Sequence, residues 1–330
     1  MNGIYFSGTG NTKYCMEVLT KTTNGKAVSI EAPEALEVLR ISNEIALGYP
    51  IYFSDIPRIV KTFILEHADM FCGKHVFVIA TMGLFSGDGA GIAARLLQKY
   101  GAVIIGGLHI RMPDCIADVK LLKKKPDENT ALISAAQKKI IQTAECIKHG
   151  IYPKNGLSFL HRIVGLFGQR LWFKQHAKKL SERLNIRAKR CIGCGTCAAN
   201  CPSKSIYIEN NKAVFYPGNC TICYRCINNC PAKAITLIGT DVFEQCRFEN
   251  YIKEDPFGTI SQDMKIARTT LSLTAAIRSI RCVCFKMRDA SEFCRGRCIS
   301  IICPPNLRLI PCIRSGFNAI KFCMKSPLTT

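Results

Sequence analysis

Eight of the twenty cysteines fall into two copies of one spacing, Cys191-x2-Cys194-x2-Cys197-x3-Cys201-Pro202 and Cys220-x2-Cys223-x2-Cys226-x3-Cys230-Pro231. Thiolates are soft, anionic ligands suited to iron. The short gaps let three sulfurs converge on one cube, and the fourth must come from farther along the chain. In this arrangement the last cysteine of each run serves the other run's cluster. The first [4Fe-4S] cluster then takes Cys191, Cys194, Cys197 and Cys230, and the second takes Cys220, Cys223, Cys226 and Cys201. Such crossing forces the two halves to fold together. A zinc site needs four ligands in all and has no use for two such triplets. A disulfide framework calls for a secretory context, and the start Met1-Asn2-Gly3 runs straight into a short apolar strand.

The segment is an internal repeat. Cys-Pro-Ser-Lys-Ser-Ile of the first copy matches Cys-Pro-Ala-Lys-Ala-Ile of the second, and each continues into a strand-like stretch, Tyr207–Glu209 and Thr236–Ile238. These residues resemble bacterial-type two-cluster ferredoxins over about fifty positions.

Residues 1–150 alternate strand and helix patterns. Strands are expected at Asn2–Phe6, Ala27–Ile30, Glu44–Leu47, His75–Ala80 and Val103–Ile110. Helices are expected at Lys13–Lys21, Arg58–His67, Gly91–Lys99 and Glu128–Lys148, the last with Ala131, Leu132, Ala135, Ile140 and Ile141 as its apolar positions. Five strands with intervening helices predict an α/β fold with a doubly wound parallel sheet, followed by a small α+β cluster domain. Ligands on such a sheet sit beyond the carboxyl ends of the strands. The first strand ends in Ser7-Gly8-Thr9-Gly10-Asn11-Thr12, and a helix follows. The glycines let backbone amides close round an anion, the hydroxyls add donors, and the helix start favours negative charge. The order matches neither a nucleoside-triphosphate loop nor the dinucleotide Gly-x-Gly-x2-Gly pattern.

This loop resembles the phosphate loop of flavodoxins, which implies FMN. Two further loops stand where the flavin ring belongs. Residues 49–57 contain Tyr52, the candidate for packing on the ring, and residues 81–91 contain Met82 and Gly83, whose backbone is expected at its edge. Lys13 suits either neutralising the phosphate or a solvated face, with the solvated face preferred. The whole chain resembles the flavodoxin–ferredoxin fusion family: a flavodoxin-like domain at 1–150, a basic connector at 151–187, a two-cluster domain at 188–240 and a Cys/Arg-rich tail at 241–330. The resemblance implies an electron-transfer protein that passes electrons between FMN and two [4Fe-4S] clusters and on to a redox partner. A flavin-dependent reductase of a small substrate, and a ferredoxin with a flavin-free docking domain, are the alternatives.

Composition limits the partners. The formal charge of +21 falls to roughly +15 once two clusters at about −2 each and a phosphate are counted. A basic surface steers acidic proteins toward it. No nucleic-acid motif accompanies the charge. The connector carries many Lys and Arg with one acid, Glu182, and an apolar series from Leu160 to Leu180. It suits a bridge packed between domains or a helix lying on a membrane surface, with the bridge preferred. No run of about 18 apolar residues predicts a transmembrane helix. Twelve further cysteines point to a reducing compartment, an anaerobic cytoplasm. Of these, Cys15, Cys72, Cys115 and Cys146 read as packed or inert, and Cys282, Cys284, Cys294, Cys298, Cys303, Cys312 and Cys323 follow no repeat. The six histidines form no spaced metal set, and no catalytic triad signature is present. Chain purified without oxygen is expected to carry iron and acid-labile sulfide together; elemental analysis that finds zinc alone would end the cluster reading.

Overall fold

The computed structural model describes residues 1–52, 55–84, 88–157 and 179–252. Most of the connector, residues 158–178, and the tail from 253 onward, with its seven cysteines, lie outside the described residues.

Strands β1 (Asn2–Tyr5), β2 (Ala27–Ser29), β3 (Glu44–Pro50), β4 (His75–Met82) and β5 (Val103–Arg111) form one parallel sheet in the order 2-1-3-4-5. A strand covered on both faces needs a continuous apolar run. β4 supplies it, with Val76, Phe77, Val78, Ile79 and Ala80 all fully buried. Alternate residues then serve opposite layers. Ile45, Leu47, Tyr49, Val76 and Val78 pack with α2 (Glu34–Ile41), α3 (Arg58–Glu66) and α4 (Gly89–Lys99). Ala46, Phe77, Ile79 and Leu108 pack with α1 (Asn11–Thr22) and α5 (Pro126–Lys148).

Three differences from the sequence reading have physical causes. α2 was not expected at all. It is eight residues long, and its inward stripe is only Ala35, Val38 and Leu39, too brief a period to stand out. The apolar face of α5 is set by Ile133, Ala136, Ile140, Ile141 and Ala144, whereas Ala131 and Ala135 face solvent and Leu132 is half-buried. Alanine tolerates either side, so the long β-branched residues decide the facing. β3 and β4 also extend past their expected ends, because Tyr49 and Pro50 pair with Ala80 and Thr81.

The cysteine repeats build a second layer of small elements. Helix α6 (Thr196–Ala199) carries the third cysteine of the first run, Cys197, and α7 (Arg225–Asn229) that of the second, Cys226. β6 (Asn185–Ile186) pairs antiparallel with β9 (Ile235–Thr236), and β7 (Ile206–Glu209) with β8 (Lys212–Phe215). The β7–β8 turn places Asn210 and Asn211 at φ 48° and 56°, the pair of left-handed positions that a two-residue hairpin needs. The repeats share backbone detail, since Lys204 and Lys233 both sit at φ 48°.

Asp118, after β5, ties the two parts together. It is 1% exposed, and its Oδ2 accepts from the amides of Leu237, Ile238 and Gly239 at 2.6, 2.9 and 3.1 Å. Its Oδ1 accepts from the Tyr224 hydroxyl at 3.0 Å. These amides bond to the carboxylate instead of a sheet partner, so β9 stops at Thr236. Residues beyond 240 also pack on the sheet domain: Phe248 stacks on Tyr14 with ring centroids 4.5 Å apart, and its amide donates to the Thr9 carbonyl. Among the described residues no helix is long and apolar enough to cross a membrane.

Asp118→Ala would leave four donors without their acceptor. Unpaired buried groups cost about 1–3 kcal/mol each, and partial rehydration lowers the sum. The variant is expected to lose at least about 3 kcal/mol in urea unfolding, with Asp118→Asn, which keeps one acceptor oxygen, losing less.

Candidate cofactor sites

The chain leaves β1 through Ser7 and Gly8 and enters α1 at Asn11, with Gly10 at φ 95° making the turn. The first amides of a helix have no partner within it, so they face the loop as donors. The Gly10 amide donates to Ser7 Oγ at 3.1 Å, which sets the loop's curvature. Thr12 is 1% exposed, and its hydroxyl lies 2.7 Å from that of Thr81 at the end of β4. Asn11 Nδ2 donates to the Pro113 carbonyl at 2.8 Å, while Asn11 Oδ1 is buried with no hydrogen-bond partner. A ligand hydroxyl or ring N–H would supply the missing donor. Lys13 lies on the outer face and pairs with Glu17 at 3.8 Å.

Above this loop opens a cavity of about 420 Å³, within the range of small-molecule sites. Ser7, Gly8, Thr9, Asn11 and Thr12 form its floor. Tyr52, Met82 and Gly83 line it as well, so the structure brings together all the expected loop residues except Gly10, whose neighbour is Phe248. Tyr52 is held by a two-bond bridge to Asp55, with its hydroxyl against Gly8. Phe53 and Ser54 of that loop, and residues 85–87 of the next, lie outside the described residues.

Two groups of lining residues were not anticipated. Met112, Pro113, Asp114 and Cys115 come from the segment after β5. Their position was available in principle, since this segment leaves a carboxyl end of the same sheet. Burial pushes the Cys115 thiol well up and raises the Asp114 carboxyl. The second group, Ile222, Tyr224 and Ile238, belongs to the cysteine repeats. No local signal marks them, because they reach the cavity only through packing between domains.

That packing is close. The Cys223 carbonyl oxygen lies 2.5 Å from where a Cβ on Gly8 would stand. Arg225 donates to the Ser7 carbonyl at 2.7 Å, forms an ion pair with Glu31 at 2.7 Å, and lies over the Phe6 ring. Arg58 reaches the Gly218 carbonyl, and the Ile59 amide meets the Thr221 hydroxyl at 3.4 Å.

Among the described residues, no three His, Cys, Asp or Glu groups converge closely enough for a single metal ion. Each crossed quartet of cysteines lines its own small cavity. Cys191, Cys194, Cys197 and Cys230 line one; Cys201, Cys220, Cys223 and Cys226 line the other. Backbone amides point at the sulfurs of Cys201, Cys230, Cys191 and Cys220 at 3.2–3.4 Å, supplied by Ser205, Ala234, Ala213 and Ile222. Such bonds favour the anionic sulfur and tune a cluster's potential. The Cys194 sulfur is exposed, and the Thr196 hydroxyl 3.4 Å away holds its thiol below the usual range. Burial pushes Cys223 up to about 12 and Cys226 well above the usual range, so a metal held by these thiols would displace their protons.

A family described as a flavodoxin domain matches residues 4–99, and one described as a 4Fe-4S dicluster domain matches residues 174–234. No curated protein matches the chain. Among solved structures it is similar to a flavodoxin from the domain Archaea, at 18% identity over 45% of this chain and 100% of that one, TM-score 0.33. Similarity to the two-electron reduced flavodoxin of Megasphaera elsdenii is 24% identity over 42% and 99%, TM-score 0.32. For oxidised flavodoxin 2 from Bacillus cereus it is 17% over 46% and 98%, TM-score 0.34. The first domain implies a flavin and the second 4Fe-4S clusters, an electron-transfer or oxidoreductase make-up. The chain thus joins an N-terminal flavodoxin domain to a 4Fe-4S dicluster domain, the arrangement of a flavodoxin–ferredoxin fusion.

Proposed function

We propose that the chain passes electrons between FMN over the Ser7–Thr12 loop and two [4Fe-4S] clusters, and on to an acidic redox protein. The observation that carries this reading is a shared wall: Ile222 and Tyr224 line both the large cavity and the cavity of the second cysteine quartet. When bound, the flavin supplies one- or two-electron chemistry and each cluster a single-electron step. The protein's own work is then positioning. Ser7, Thr12 and the first amides of α1 hold a phosphate, the backbone at Met82 and Gly83 borders the ring, and Asn11 Oδ1 accepts from a ligand donor. Tyr52 fixes the ring from the side of Gly8.

The same geometry supports a route. Cys220, Cys223, Cys226 and Cys201 hold the cluster next to the flavin. Cys191, Cys194, Cys197 and Cys230 hold the outer one, where Cys194 and Ile192 are exposed. Lys189, Arg190 and Lys212 lie beside that exit, and Lys212 donates to the Cys191 carbonyl at 2.6 Å. Their charge favours an acidic partner. Joining donor and acceptor in one chain makes the handover independent of encounter.

Ser7→Ala with Thr12→Ala removes two hydroxyls from a charged ligand, at about 1.5–3 kcal/mol each where both bond it directly. FMN should therefore bind at least about tenfold more weakly; unchanged flavin content in purified protein rejects the cradle. Cys194→Ser should cut iron from roughly eight to roughly four atoms per chain, and full iron occupancy would overturn its ligand role. Rapid anaerobic mixing with a reductant tests the whole reading. Flavin and cluster absorbance should equilibrate at a rate independent of protein concentration, whereas a rate proportional to concentration would exclude handover within one chain.

A further inference from the structure

The two cysteine repeats share a backbone but differ at two positions that matter. In the first, Gly193 and Gly195 sit at φ 71° and 74°. In the second, the matching residues are Ile222 and Tyr224, both at φ 58°. The left-handed region suits glycine, and a β-branched side chain there is a backbone outlier. Such conformations persist where the surroundings over-determine them. Here the surroundings are the large cavity, which both side chains line. Tyr224 is 3% exposed and anchored by Asp118.

We propose that the Cys220–Arg225 loop is part of the flavin site itself, so that flavin affinity and occupancy of the second cysteine quartet rise and fall together. The proposal rests on the flavin reading of the Ser7–Thr12 cradle. Two of the loop's six residues, Cys220 and Cys223, belong to the second quartet, and with Cys226 immediately after the loop they bracket the two side chains that wall the cavity. Holding those sulfurs on a cluster fixes Ile222 and Tyr224 between them. The same loop touches the floor of the cradle, through the Cys223 carbonyl at Gly8 and Arg225 at the Ser7 carbonyl. Arg225 also donates to the Asn200 carbonyl at 3.3 Å, next to the quartet's fourth ligand, Cys201. A wall ordered by iron gives the flavin a ready-made surface, and by linkage the bound flavin favours the iron-loaded loop equally.

The test titrates FMN into full-length protein without oxygen, reading flavin fluorescence, with iron and sulfide measured on the same samples. Ile222→Gly with Tyr224→Gly removes the wall while keeping a backbone that the first repeat already adopts with glycine. This variant should keep its iron and sulfide yet bind FMN about tenfold more weakly or worse, within the usual span of coupling. Full iron with an FMN dissociation constant within about twofold of wild type would overturn the proposal. A second arm needs no substitution: iron-depleted wild-type chain should likewise bind FMN about tenfold more weakly than loaded chain, and equal affinities would overturn the coupling. Failure of iron-loaded wild type to bind FMN at all would instead sink the flavin reading, and the coupling with it.

Discussion

The Cys223 carbonyl lies against Gly8, with no room for a side chain between them. That contact joins the Ser7–Thr12 loop of the parallel sheet to the second cysteine repeat. Much else at the junction supports it. Arg225 bonds to the neighbouring Ser7 carbonyl and to Glu31, Arg58 holds the Gly218 carbonyl, and Phe248 closes the loop from the Thr9 side. A larger residue at position 8 would separate the surfaces and open the cavity to water from the cluster side.

The sheet explains why the junction sits here. Parallel strands deliver their loops to one edge, and amides at helix starts make that edge receptive to anions. The edge is also where β5 hands over to Met112–Asp118, and Asp118 there accepts from Tyr224 and from three consecutive amides after β9. One buried carboxylate therefore satisfies donors that would otherwise need a further strand. Domain docking and local hydrogen bonding at this point are the same set of bonds.

Legibility in the sequence followed the range of the interactions. The cysteine runs could be read because their gaps are short and fixed, and the structure sets the two quartets around two separate cavities. Ser7–Thr12 could be read because strand, turn and helix are adjacent in the chain. α2 escaped for want of turns, and the facing of α5 was blurred by alanines that fit either side. Ile222 and Tyr224 were unreadable as cavity residues. They stand more than two hundred residues from Ser7, and only folding brings them, where the first repeat has glycines, to the wall of the cavity.

The exposed sulfur of Cys194 gives the molecule a weathered side and a sheltered one. Oxidants act first on accessible sulfur, and Cys194 is the one exposed sulfur among the eight cysteines of the two runs. Cys223 of the other quartet is buried and Cys226 half-buried. Dissolved oxidants would therefore meet the first quartet before the second.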